Sequence, residues 1–143
     1  MYDTVLVATD GSETAGEAVD PAIELARRFD AAMHTVVVLE SRTDYDNAIV
    51  DPDEVERRRR ADAEATLEEV ERSARHASVP IETTIRTGVS HEEILTYAEE
   101  CGADVIVLGA RGRSSFRRAL LGSTAERVTR LADLPVLVVD TGK

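Results

Sequence analysis

Cysteine occurs once, at Cys101, so no disulfide can form within the chain and an oxidising compartment gains no support. No apolar run approaches the roughly 20 residues needed to span a bilayer. No basic region or cleavage site precedes the first apolar run, which begins a few residues after Met1, so a cytoplasmic protein is expected. Lysine is almost missing: Lys143 stands alone beside 16 Arg. Aromatic residues are few, with no Trp, three Tyr and two Phe. The chain also lacks a Walker A lysine motif, a Gly-x-Ser-x-Gly elbow and an early Gly-x-Gly-x-x-Gly.

Acidic residues are abundant. Asp and Glu number 28 against 17 Lys and Arg, a net charge of −11, which argues against general binding to nucleic acid or anionic lipid. With so little lysine, this acidity suits a salt-rich cytoplasm and an acidic, halophilic proteome, where screening weakens self-repulsion. Drift toward Arg codons is the rival explanation. The 143 residues and 43% apolar content correspond to one globular domain spanning residues 1–143, with no repeat and no linker.

Apolar, β-branched runs alternate with helical periodicity along the chain. Thr4 to Thr9 reads as a buried strand ending in Asp10-Gly11-Ser12. Ala15, Ala18, Val19, Ala22, Ile23, Ala26 and Phe29 then recur at helical spacing, and Pro21 either kinks that helix or restarts it with Asp20 as cap. Met33 to Leu39 is a second strand, and Glu40 to Val50 a polar loop. Asp51-Pro52-Asp53-Glu54 opens a long helix to about Ala77, and Pro80 to Thr87 forms a more polar strand suited to a sheet edge. Ser90-His91-Glu92-Glu93 has the form of a capping box for a helix closed by Cys101-Gly102. Val105 to Leu108 is a fourth strand, Ser123 to about Leu131 a helix, and Pro135 to Asp140 a fifth strand.

Continuous rather than alternating apolarity in the strands implies a parallel sheet covered on both faces, an α/β doubly wound, Rossmann-like fold. In such sheets ligands bind beyond the carboxyl ends of the strands where strand order reverses. If Thr4–Thr9 and Val105–Leu108 are neighbours there, the crevice is lined by Asp10-Gly11-Ser12 and by the loop from Gly109 onward.

That loop is the main concentration of positive charge. Residues 110–130 hold six Arg and one Glu, a local net of +5 against −16 elsewhere. Gly109 and Gly112 permit close backbone approach to a ligand, and Gly122-Ser123 present amides, a hydroxyl and a helix amino end to an anion. Ser123 with Glu126 also fits a simple capping box, and Asp10 fits a cap of the turn that follows it; both plainer roles stay open.

Gly109-x-x-Gly112, nine residues, then Gly122-Ser123 resembles the nucleotide-binding signature of universal stress proteins. The opening Val5 to Ser12 and the closing Leu134 to Val139 are similar to the same family, so the resemblance covers essentially the whole chain. It implies a five-stranded sheet of order 3-2-1-4-5 and binding of ATP, with AMP or ADP as the other adenine nucleotides. Ala8 and Thr9 would be among the nucleotide-binding residues, and the Asp10 carboxylate would contact the ribose hydroxyls. Val38 and Leu39 would hold the adenine edge, Gly109 would lie along the ribose with Leu108 among the binding residues, Gly112, Gly122, Ser123 and Thr124 would hold the phosphates, and Arg111 would either add a phosphate contact or be solvated. Mg2+ or Mn2+ would be carried mainly by the phosphates, with no protein metal ligands and no catalytic residues. The resemblance also implies a homodimer through Pro135–Asp140 and an unidentified regulatory partner protein. A slow ATPase or self-phosphorylating enzyme and a nucleotide-free interaction module are the alternatives. His34, His76 and His91 show no metal spacing, and Arg57 to Arg60 reads as a solvated, paired helix face.

Overall fold

In the computed structural model, residues 2–10, 17–40, 52–110 and 121–140 are described. Five strands, β1 (Thr4–Ala8), β2 (Ala32–Leu39), β3 (Ile81–Thr87), β4 (Val105–Gly109) and β5 (Val136–Val139), form one sheet of order β3-β2-β1-β4-β5. Every pairing is parallel. Among the described residues four helices accompany them: α1 (Val19–Phe29), α2 (Pro52–His76), α3 (Ser90–Cys101) and α4 (Ser123–Leu131).

Strand periodicity divides the core into two layers. Val5 and Val7 of β1, with Met33, Val105 and Val107, face α1 and the carboxyl-terminal half of α2. Leu6 and Ala8, with Val36, Ile106 and Leu108, face α3 and α4. Because β1 is central and buried on both faces, its side chains from Val5 to Ala8 are apolar without alternation, as expected of a parallel sheet. Ala18, Ala22 and Ala26 are completely buried, so α1 lies close against the sheet through small side chains. On α2 the buried positions Ala63, Leu67, Val70 and Ala74 form one stripe, while Arg57, Arg58 and Arg60 are exposed and Arg58 pairs with Glu54 at 3.5 Å.

Three helix starts differ from the sequence expectation. Helix α1 begins at Val19 after a turn at Glu17-Ala18, and Pro21 sits in its first turn. No amide is required there, so the helix accommodates the proline, and its cap is Ala18 rather than Asp20; Ala15, where the helical spacing starts, lies outside the described residues. Ser90 and Ser123 were expected as caps, yet each is the first helical residue, and the caps are Val89 and Gly122 in extended conformation. Both hydroxyls are thereby released from capping. Helix α3 does close as expected at Gly102, whose φ of 67° needs no Cβ. Asp51 and the loop over 41–50 lie outside the described residues. Among the described residues, no helix is long and apolar enough to cross a membrane.

Candidate functional site

The strand order reverses beside β1: the chain steps from β1 to β2 and β3 on one side, then to β4 and β5 on the other. A crevice therefore opens at the carboxyl ends of β1 and β4, which are registered from Val5↔Val105 to Ala8↔Leu108. The adjacency of these two apolar strands was conditional in the sequence and is a fact of the fold.

Strand length shapes the crevice. The last registered pair of β1 and β2 is Ala8↔Val36, whereas β2 and β3 stay paired to Leu39↔Thr87. The amide of Thr9 donates to the carbonyl of Val36 at 3.1 Å, so Val36 turns its backbone toward β1. Two residues on, Val38 turns its backbone the same way, with no β1 residue registered opposite it. Leu39 faces the other neighbour: its carbonyl accepts the amide of Gly88 at 3.0 Å. Of the two positions assigned to the adenine edge, Val38 offers its backbone to the gap and Leu39 does not. On the opposite wall, Gly109 also extends past Ala8, pairing with Val139 of β5.

The amino end of α4 closes the site. The amide of Gly122 donates to the carbonyl of Ala110 at 2.7 Å, which fastens the start of α4 to the end of β4. That bond draws the two ends of the intervening Arg-rich loop together. It also commits the Gly122 amide, so the donors left at the helix end are those of Ser123, Thr124 and Ala125, which have no intrahelical acceptor. The first intrahelical bond runs from the Glu126 amide to the Gly122 carbonyl at 2.9 Å. Ser123 is exposed and its hydroxyl has no hydrogen bond among the described residues. Free amides, a hydroxyl and the positive helix end together favour an anion.

Among the other assigned residues, Thr9 is buried and Asp10 half-buried just past the end of β1, while Ala8 and Leu108 are buried in the core at the ends of their strands. Arg111 and Gly112 lie outside the described residues. The sequence reading passed over Glu40, placed in a loop, whose carboxylate accepts a hydrogen bond from the hydroxyl of Ser90 at 2.6 Å. Its position one residue beyond β2, in step with Val36 and Val38, was the available signal. The histidine His34 lies away from the crevice, with Nδ1 3.0 Å from the Tyr97 hydroxyl and 3.4 Å from a Glu82 oxygen.

Similarity to known proteins runs the length of the chain. The Universal stress protein family matches residues 1–140. Universal stress protein MJ0531 of Methanocaldococcus jannaschii is 34% identical over 148 residues, covering 100% of this chain and 85% of the relative. Among solved structures, hypothetical protein MJ0577 superposes with a TM-score of 0.80 at 28% identity, covering 97% of this chain and 96% of that one. A universal stress protein in complex with cAMP superposes with a TM-score of 0.75 at 31% identity, covering 98% of each chain. A parallel sheet of order 3-2-1-4-5, a crevice at its switch point and this full-length similarity lead to one assignment: the chain belongs to the universal stress protein family.

Proposed function

We propose that the protein binds ATP in the crevice between β1 and β4 and that nucleotide occupancy regulates a partner protein during stress, in a salt-rich cytoplasm. The observation that carries this reading is the meeting of two features at one point. The short β1 leaves the backbones of Val38 and Gly109 facing a gap, and α4, which carries three amides without an intrahelical acceptor and the Ser123 hydroxyl at its amino end, starts beside the end of β4. The first feature suits the hydrogen-bonding edge of a base, the second a phosphate chain. The solved relative in complex with cAMP supports an adenine nucleotide as the ligand class.

The residues fit that ligand in kind. Asp10 stands at the carboxyl end of β1, where a carboxylate can accept hydrogen bonds from ribose hydroxyls. Arg111 and Gly112 join Ser123 and Thr124 on the phosphates in this reading, and Mg2+ or Mn2+ neutralises the phosphate chain without a dedicated set of protein ligands. Gly122 serves as the fastening point that sets the angle of α4. A homodimer completes the proposal. β5 is the outer strand of the sheet, and its Leu137 is 42% exposed, so pairing with a second copy would cover an apolar edge.

Titration calorimetry with ATP and Mg2+ in high salt tests the reading. Ser123→Glu places a carboxylate where phosphate would sit while keeping a favourable charge at the helix amino end, so the fold is preserved. Wild type should bind and Ser123→Glu should bind at least about tenfold more weakly, the cost of replacing one charge-assisted contact by repulsion. Absence of binding to folded wild type overturns the proposal.

A further inference from the structure

We infer that Glu40 selects the base: its carboxylate is held beside the base end of the crevice and favours a purine carrying an exocyclic amine over one carrying a carbonyl. The inference rests on the nucleotide reading above and assigns the residue that would choose among nucleotides.

The placement of this carboxylate is built by three elements. Glu40 follows Leu39, the last residue of β2, and continues the alternation of Val36 and Val38, which face α3 and α4. The Ser90 hydroxyl donates to Glu40 Oε1 at 2.6 Å, and Ser90 is the first residue of α3. Ser90 is able to reach Glu40 because Val89, not Ser90, caps the helix. The segment that delivers Ser90 is itself fastened, through the Gly88 amide on the Leu39 carbonyl at 3.0 Å. Gly88 has a φ of 148°, and a Cβ there would lie 2.9 Å from Glu93 Oε2, so this turn is shaped around glycine. The carboxylate is therefore tied by side chain and backbone to the ends of β2 and β3 and the start of α3. Glu40 is exposed, and these ties are what hold its carboxylate in one place.

Its chemistry follows from the strand direction. Along β2 the carbonyl of Val38 lies on the Glu40 side of the Val38 amide. A base hydrogen-bonded to this edge sets a ring nitrogen on the amide and its exocyclic group on the carbonyl, the side nearer Glu40. An amine has two hydrogens, one for the Val38 carbonyl and one for Glu40 Oε2, an oxygen with no hydrogen bond among the described residues. A carbonyl in the same place would face two acceptors, one of them charged, and would be rejected.

Binding of ATP, purine riboside 5′-triphosphate (which lacks the 6-amino group) and GTP is measured by calorimetry for wild type, Glu40→Ala and Ser90→Ala, with circular dichroism as the folding check. The expected wild-type preference for ATP over the deaminated analogue falls about tenfold in Glu40→Ala, as for loss of one hydrogen bond to a charged group, while the analogue itself binds within about twofold of wild type. Ser90→Ala loses about threefold of the same preference, because the carboxylate remains but is no longer oriented. Equal weakening of ATP and analogue, or an unchanged preference, overturns the role of Glu40 and leaves ATP binding standing. Binding of no nucleotide by folded wild type overturns the nucleotide reading and this inference with it.

Discussion

Thr35 is a polar residue in an apolar place. It is fully buried in β2, and among the described residues its hydroxyl has no hydrogen-bond partner. A hydroxyl removed from water without a partner costs free energy, and valine has nearly the same shape without that cost. Thr35→Val is therefore expected to raise stability by about 1 kcal/mol, read as a higher midpoint in urea with an unchanged slope. A lower midpoint would mean that the hydroxyl is satisfied. Residue chemistry also accounts for Cys101, whose thiol burial pushes above its ordinary pKa and whose Sγ lies 3.8 Å from the carbonyl of Ala98. Its environment is that of a packed small side chain rather than an activated nucleophile.

Helix α3 rests on β3 through polar contacts as well as apolar ones. The guanidinium of Arg86 on β3 grips the Glu100 carboxylate through both terminal nitrogens, lies 3.6 Å from Glu93, and stands 5.1 Å from the Tyr97 ring centre. The hydrogen bond from Arg86 holds the Glu100 carboxyl below its ordinary range. A carboxyl lowered in the folded state stabilises the fold above its unfolded pKa, and that contribution is lost as pH falls toward the folded value. Glu100→Gln should therefore be less stable than wild type at about pH 7, with the gap closing as pH falls below the ordinary carboxyl range. Because Glu100 is exposed, solvent screening keeps the difference small. Denaturant midpoints at several pH values check it, and a gap independent of pH would count against the pair. At the other end of the sheet, Asp104 accepts hydrogen bonds from the amides of Asp3 and Thr4 at 2.8 and 3.0 Å. This clamp joins the starts of β1 and β4, the two strands whose far ends form the crevice.

Charge and symmetry act on the whole molecule. With a net charge of −11, self-repulsion disfavours the compact state at low ionic strength. Raising KCl from about 0.1 M to about 1 M shortens the screening length from about 10 Å to about 3 Å, and the Tm is expected to rise by about 5 °C. A Tm that falls over that range would argue against a salt-adapted surface. If β5 pairs with a second copy, light scattering should give twice the 15.6 kDa chain mass, and Leu137→Asp should return it to one. A monomeric wild type would remove the dimer from the proposed function.

Much of this architecture was legible in the sequence. Strand and helix types depend on local periodicity, so Thr4–Ala8, Val105–Gly109 and the helix ending at Gly102 were readable from a few neighbouring residues each. The polar character of Ile81–Thr87 marked it as an edge, and it is the outer strand of the sheet. What local pattern could not carry was any contact between distant segments. Both serine caps were misplaced by one residue, since a cap depends on backbone dihedrals that the preceding chain imposes. The Gly122 amide looked available for phosphate until the fold brought Ala110 beside it, 12 positions earlier in the chain. Glu40 and Ser90 are 50 residues apart, and only the parallel pairing of β2 with β3 sets them within hydrogen-bonding distance. The sequence by itself determined which elements exist, which faces they bury and where the positive charge gathers, because those follow from periods of two and 3.6. Tertiary structure alone decided which backbone groups remain open to a ligand, because each is settled by a partner strand's register and length.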